Sequence, residues 1–127
     1  MNRIALLACG VLLPAILSGC DIMDPGVCTT DVQPAIVVQV RDAATQAPAA
    51  SGATGVLADG SYADPMQPAD LSENTLELFG ALERPGTYTV TIDKPGYQQW
   101  KQERVRVRDA SCHVQTVTLQ ANLVRTP

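Results

Sequence analysis

The chain is short of the residues that carry most enzyme chemistry. Its 127 residues include one His, one Trp, one Phe and three Tyr. A zinc peptidase needs two or three His or carboxylate ligands around an open position. His113 stands without an H-x-x-E pattern, beside Cys112 in a strand-like stretch, and is expected at a surface or edge. No metal site and no cofactor is expected. Ser18 and Ser111 lack Asp and His partners at usable spacing, so catalysis is not expected either. Cationic residues are also few: 9 Lys and Arg against 13 Asp and Glu give a net charge of −4. Affinity for nucleic acid rests on neutralising phosphates, so this balance argues against that partner. No stretch longer than two turns carries a helical period, and the length allows one domain with a thin core.

The N-terminus holds a clear pattern. Arg3 precedes an uncharged, mostly apolar run over residues 4–19. A membrane-spanning helix needs about 20 apolar residues, and Pro14 interrupts this shorter run. A charged start, a short apolar stretch and small residues at its end describe a secretory signal. The run closes on Leu17-Ser18-Gly19-Cys20, which resembles the bacterial lipobox Leu-(Ala/Ser)-(Gly/Ala)-Cys. That resemblance implies a signal peptide at residues 1–19, cleavage between Gly19 and Cys20, and acylation of Cys20. The membrane is then a partner through the acyl chains on Cys20. Each buried methylene contributes about 0.8 kcal/mol, so two or three chains anchor stably where one does not. Asp21 resembles the enteric signal for retention in the inner membrane. The expected location is the cell envelope, facing the periplasm, with the inner membrane favoured over the outer.

Of the four Cys, Cys9 leaves with the signal and Cys20 takes the lipid. Cys28 and Cys112 remain, and an exported domain most simply pairs two leftover thiols. Closing a loop of about 85 residues contributes about 4–5 kcal/mol in the chain-entropy model, with Cα atoms expected about 5.5–6 Å apart. The functional alternative, a redox-active pair, lacks the C-x-x-C spacing.

After a short tether at residues 20–27, strands and turns follow. Residues 35–41 are β-branched and bounded by Pro34 and Asp42. Asp59-Gly60, between residues 56–58 and 61–63, predicts a two-residue hairpin. Residues 64–74, with Pro65 and Pro68, read as the longest loop, in which Asp70 and Glu73 cap one helical turn at most. In residues 75–82, Leu76, Leu78 and Leu82 share a phase. Pro85-Gly86 and Pro95-Gly96 each predict a type II turn. Between them Tyr88, Val90 and Ile92 alternate with Thr87, Thr89 and Thr91, a strand with one wet face. Val105 and Val107 alternate with Arg104, Arg106 and Arg108, and Val117, Leu119, Ala121 and Leu123 share a face. Val114 falls in the opposite phase, predicting a bulge near Gln115-Thr116. About seven short strands at this spacing suggest an antiparallel β-sandwich.

Residues 80–90, then Lys94-Pro95-Gly96-Tyr97, Trp100, the valine-rich strand and Cys112 resemble a carboxypeptidase regulatory-like domain. The best match covers residues 80–121 and a looser one extends back to residue 28. The resemblance implies a seven-stranded transthyretin-like (prealbumin-like) sandwich over residues 28–127. It departs at Gly52-Ala53-Thr54-Gly55-Val56, where an extra Gly leaves the strand register open. Hydroxyisourate hydrolases share that fold, but they resemble one another in several His and a Tyr-Arg-Gly-Ser terminus, which this chain lacks. Asp59, Asp64 and Asp70 crowd one region but lack calcium-loop spacing, so turn formation is the expected role. Arg104, Arg106 and Arg108 are expected on a solvated face, with an anion or lipid headgroup as the functional alternative. Tyr97 and Trp100 form the candidate binding surface, a stacking platform for a glycan, against the alternative of covering one end of the core. The expected function is a non-catalytic, lipid-anchored binding or accessory module whose partner is an envelope protein or a glycan. The alternative is a structural subunit of an envelope or secretion assembly, which would show a contiguous apolar patch.

Overall fold

The computed structural model describes residues 27–127; Gly19, Cys20 and the tether up to residue 26 lie outside the described residues. The described chain is all-β. Its elements are β1 (Pro34–Asp42), β2 (Thr54–Asp59), β3 (Tyr62–Pro65), β4 (Gln67–Pro68), β5 (Glu77–Leu82), β6 (Gly86–Asp93), β7 (Trp100–Val107) and β8 (Val117–Leu123). They form two four-stranded sheets, ordered β4-β5-β1-β8 and β3-β2-β6-β7, whose inner faces share one core. The architecture is a β-sandwich.

Two features correct the seven-stranded antiparallel expectation. β1 pairs β8 in parallel, from Ile36 opposite Val117 to Asp42 opposite Leu123, so that sheet is mixed. The additional strand is β4, inside the stretch expected to be loop. There the chain leaves one sheet at β3 and enters the other at β4, turning about Met66, whose side chain is buried. Pro65 and Pro68 do not prevent pairing, because β3 and β4 are both edge strands and a missing N–H costs little there.

Alternation places the core where the sequence predicts it. Tyr88, Val90 and Ile92 on β6 are fully buried, facing Ile36, Val38 and Val40 of β1 across the core, with Thr89 and Thr91 half-exposed. Val105 and Val107 are buried between exposed arginines, and Ala121 and Leu123 are buried with Val117 and Leu119 packed beside them. The extra glycine of β2 is explained by a close approach. A Cβ on Gly55 would meet Met66 Sδ at 2.7 Å and Ile92 Cδ1 at 3.0 Å, so a side chain there would displace these buried side-chain ends.

Four local expectations shift. Asp59 pairs with Tyr62, so the hairpin turn is Gly60-Ser61, one residue later; Gly60 has φ 58° and Ser61 is not left-handed, the pattern of a type II′ turn. Leu82 is exposed, because Ala81 takes φ 54° and is itself buried, breaking the leucine phase. The turn before β6 therefore spans residues 81–84, closed by the Arg84 N–H on the Ala81 carbonyl at 3.2 Å, and Gly86 is already the first residue of β6. Val114 is buried through a bridge to Asp109 across a separate turn, not through a bulge in β8. The register shift of the second sheet falls elsewhere, between Tyr88 and Val90, opposite Arg104 at φ 56°. The turn at Pro95-Gly96 closes as expected, with the Tyr97 N–H on the Lys94 carbonyl at 3.0 Å.

Candidate functional site

One end of the sandwich is closed covalently. Cys28 and Cys112 are bonded, with Cα atoms 5.2 Å apart, slightly closer than expected and within the usual range. Beside the disulfide, His113 Nδ1 lies 2.6 Å from Glu83 Oε1, and His113 Nε2 lies 2.9 Å from Thr29 Oγ1. Glu83 sits at φ 51° in the turn before β6, a conformation that costs a non-glycine residue about 1–3 kcal/mol and persists only when its surroundings hold it. They do hold it. The carboxylate accepts the Gln33 N–H at 2.7 Å and the Val114 N–H at 3.2 Å, and these bonds, with His113, keep it below the ordinary range despite burial.

Hydroxyl, imidazole and carboxylate thus stand in the order used for acyl transfer. Sequence reasoning did not find this relay, because Thr29 and Glu83 lie 84 and 30 residues from His113. The adjoining shallow cleft, about 360 Å³, is bordered by Asp31 and Asp109. Carboxylates there oppose a developing oxyanion, where catalysis would need donors. The relay ties the disulfide-bonded loop to the turn before β6.

Just past that turn, Tyr88 forms a tyrosine corner. Its hydroxyl donates to the Arg84 carbonyl at 2.7 Å and accepts from Arg84 Nη1 at 2.9 Å. The same guanidinium binds Asp59 Oδ2 at 2.9 Å and lies 3.8 Å from the centroid of the Tyr62 ring. Gly86 makes room for this group, since a Cβ there would come within 2.5 Å of Asp59 Oδ2.

At the other end of β6, Tyr97 and Trp100 are both half-buried and packed against the core. Trp100 pairs with Ile92 in the ladder. The Tyr97 hydroxyl donates to Asp42 Oδ2 at 2.7 Å, and Arg125 Nε donates to the same oxygen at 2.7 Å. Asp42 Oδ1 accepts the Ala44 and Thr45 N–H groups at 2.9 and 3.0 Å. With all these donors, led by the Tyr97 hydroxyl, the buried Asp42 carboxylate is held far below its ordinary range. Lys94 and Arg125 approach the Tyr97 ring at 5.7 and 5.5 Å. Lys94 also donates to the Ala49 and Ser51 carbonyls at 2.9 and 2.6 Å.

The three aspartates weighed for calcium are not brought together. Asp59 binds Arg84, Asp64 accepts the Ala81 N–H at 2.7 Å, and Asp70 accepts from Ser72. Among the described residues no group of three or more His, Cys, Asp or Glu could hold a metal. Arg104, Arg106 and Arg108 are exposed on or just beyond β7, the edge strand of its sheet. Arg106 and Arg108, with Gly86, Thr87 and Asp109, border an open cleft of about 630 Å³. The large exposed apolar residues are Val27 and Val32 in the segment before β1, Val56 on β2, Leu71 in the loop before β5, Leu82 ending β5, beside the Glu83 N–H that bonds the Gln33 carbonyl, and Val124 after β8. No protein-family model and no curated protein matches the chain.

Proposed function

We propose that the chain is a bacterial envelope lipoprotein whose sandwich is a non-catalytic binding or accessory module of the carboxypeptidase regulatory-like, transthyretin-like kind. The carrying observation is the Cys28–Cys112 disulfide, the mark of an oxidising, exported compartment, directly downstream of Leu17-Ser18-Gly19-Cys20. Residues 1–19 act as the signal peptide, and Cys20 carries the acyl chains that hold the domain to the membrane. Asp21 favours the inner membrane. The Gly86-Thr87-Tyr88 corner and the Pro95-Gly96 turn, the elements of the family resemblance, serve the fold and support the domain assignment. A non-catalytic role is supported by the uses found for the polar groups: His113, Asp42, Asp59 and Asp64 each hold one chain segment against another.

Metabolic labelling with a fatty acid tests the anchor. The native chain is expected to incorporate label and to fractionate with membranes, and Cys20→Ser to lose both. Unchanged labelling and membrane association in the variant overturn the lipoprotein reading.

A further inference from the structure

The cationic side chains divide into two sets. Arg41 donates to the Gln46 carbonyl at 3.0 Å, Arg84 is held by Asp59 and Tyr88, and Arg125 by Asp42. Lys94 is held by two carbonyls, and Lys101 meets Glu103 at 3.2 Å. The side chains of Arg104, Arg106 and Arg108 have no hydrogen-bond or ion-pair partner among the described residues. All three are exposed along one stretch of the sheet edge: Arg106 projects outward because Val105 and Val107 beside it turn into the core, Arg104 lies at the register shift with φ 56°, and Arg108 directly follows β7. Their guanidinium groups are free to meet an external anion.

The covalent structure says where that anion lies. The turn that follows β7 carries Cys112, bonded to Cys28. Asp109 borders both the Arg106–Arg108 cleft and the cleft beside the disulfide, so the two adjoin. Seven residues lie between Cys20 and Cys28, so eight chain steps give a reach of about 28 Å at full extension. A chain anchored at Cys20 therefore keeps this corner of the sandwich close to the lipid headgroups. The chain as a whole is acidic, at −4, so an anionic surface repels most of it and attracts this edge. Attraction on one edge and repulsion elsewhere select one orientation.

We propose that the Arg104, Arg106 and Arg108 face of β7 lies against anionic phospholipid headgroups of the membrane that holds Cys20, orienting the sandwich on the bilayer. This rests on the lipid-anchored reading given above. The competing role for the same charges is protection of an edge strand from pairing with a second copy.

The acylated full-length product, with Cys20 acylation read by mass, is reconstituted into phosphatidylcholine vesicles with or without phosphatidylglycerol. Trp100, the only Trp and itself on β7, serves as donor to a dansyl-headgroup lipid. Transfer is expected to be at least about twofold stronger with phosphatidylglycerol at low salt, and to fall to the neutral-vesicle value at high salt, where screening shortens the reach of surface charge. The R104Q/R106Q/R108Q variant is expected to give the neutral-vesicle value throughout while staying on the vesicles through its lipid. The corresponding triple Lys variant is expected to keep the difference. Equal transfer in the two vesicle types with Cys20 acylated overturns this proposal and leaves the anchor standing. The same holds if the Gln variant changes only self-association, or if inorganic phosphate removes the difference at matched ionic strength, which marks a free-anion site. Absence of acyl mass on Cys20 overturns the anchor, and this proposal with it.

Discussion

The two ends of β6 solve one problem with different means. Each has a tyrosine whose hydroxyl is fixed by hydrogen bonds and an arginine against its ring. At the start of β6, Tyr88 returns to the backbone only four residues upstream, and the disulfide and the Glu83–His113 contact close the same end. At the far end, Tyr97 reaches back 55 residues to Asp42, and Arg125 reaches back 83 residues to the same carboxylate. The first end is closed covalently, across 84 residues, beside a tyrosine bonded four residues upstream; the second is non-covalent and gathers on a single carboxylate. The covalent bond at the first end does not weaken in salt or acid, whereas the Glu83 contacts beside it and the Asp42 contacts at the second end both lose their contribution as the carboxylates take up protons.

The largest effect is expected from unlocking the first end. Cys28→Ser with Cys112→Ser frees a loop of 84 residues, worth about 4–5 kcal/mol in the chain-entropy model. Denaturant unfolding of the disulfide-bonded protein, with and without reductant, measures it. A variant as stable as the oxidised native chain would mean that the unfolded ensemble is already constrained, and the first end would lose its covalent advantage.

Tyr88→Ala comes next, at about 3–4 kcal/mol. The ring is fully buried and meets Tyr62 edge-on at 6.4 Å, so its loss leaves a cavity and strips the Arg84 carbonyl of its donor. A change within about 0.5 kcal/mol, the range of surface substitutions, would overturn the register of β6. Gly86→Ala tests the same cluster more gently. Its Cβ collides with Asp59 and lies 3.1 Å from Arg84 Nη1, so overpacking of about 1–3 kcal/mol is expected. Asp59→Ala in the same chain removes the collision and should recover part of that loss.

The difference between the ends also marks what the sequence disclosed. Tyr88, Val90 and Ile92 were legible because an alternating strand exposes its phase to inspection, and two Pro-Gly pairs bracket it. The disulfide was legible by elimination among four Cys. The parallel pairing of β1 with β8 was not, since register between strands about 80 residues apart leaves no local mark. Nor was β4, because prolines that argue against a central strand are harmless at an edge. Leu82 misled for a different reason. Its phase was read as though Ala81 were extended, and only the Asp64 carboxylate on the Ala81 N–H, 17 residues away, shows why it is not. Asp42 read as a strand terminator and Arg125 as part of an unremarked tail, because a clasp between distant residues has no spacing to detect.

The smallest effect, and the most diagnostic of the second end, is expected from Arg125→Gln. The Arg125 side chain is 65% exposed while Asp42 is 4% exposed, so water screens the pair and the loss at neutral pH should be modest. Its pH dependence carries the argument. The Asp42 carboxyl is held in the folded chain below the value of about 3.9 that it has when unfolded, chiefly by Tyr97, Thr45 and Arg125. A depressed pKa gives stability that is fully present above the unfolded value and lost as pH falls through the folded one. The unfolded value is common to both chains and cancels, so the difference between native chain and Arg125→Gln should stay constant from neutral pH to below about 3.9 and shrink only as pH falls through the depressed folded-state range in which Asp42 takes up its proton. Salt should reduce it at neutral pH, since one partner faces solvent. Chemical denaturation across that range measures both trends. If the difference persists unchanged in acid, Arg125 acts by packing on the Tyr97 ring at 5.5 Å, not by its charge, and the two ends of β6 are more alike than their partners suggest.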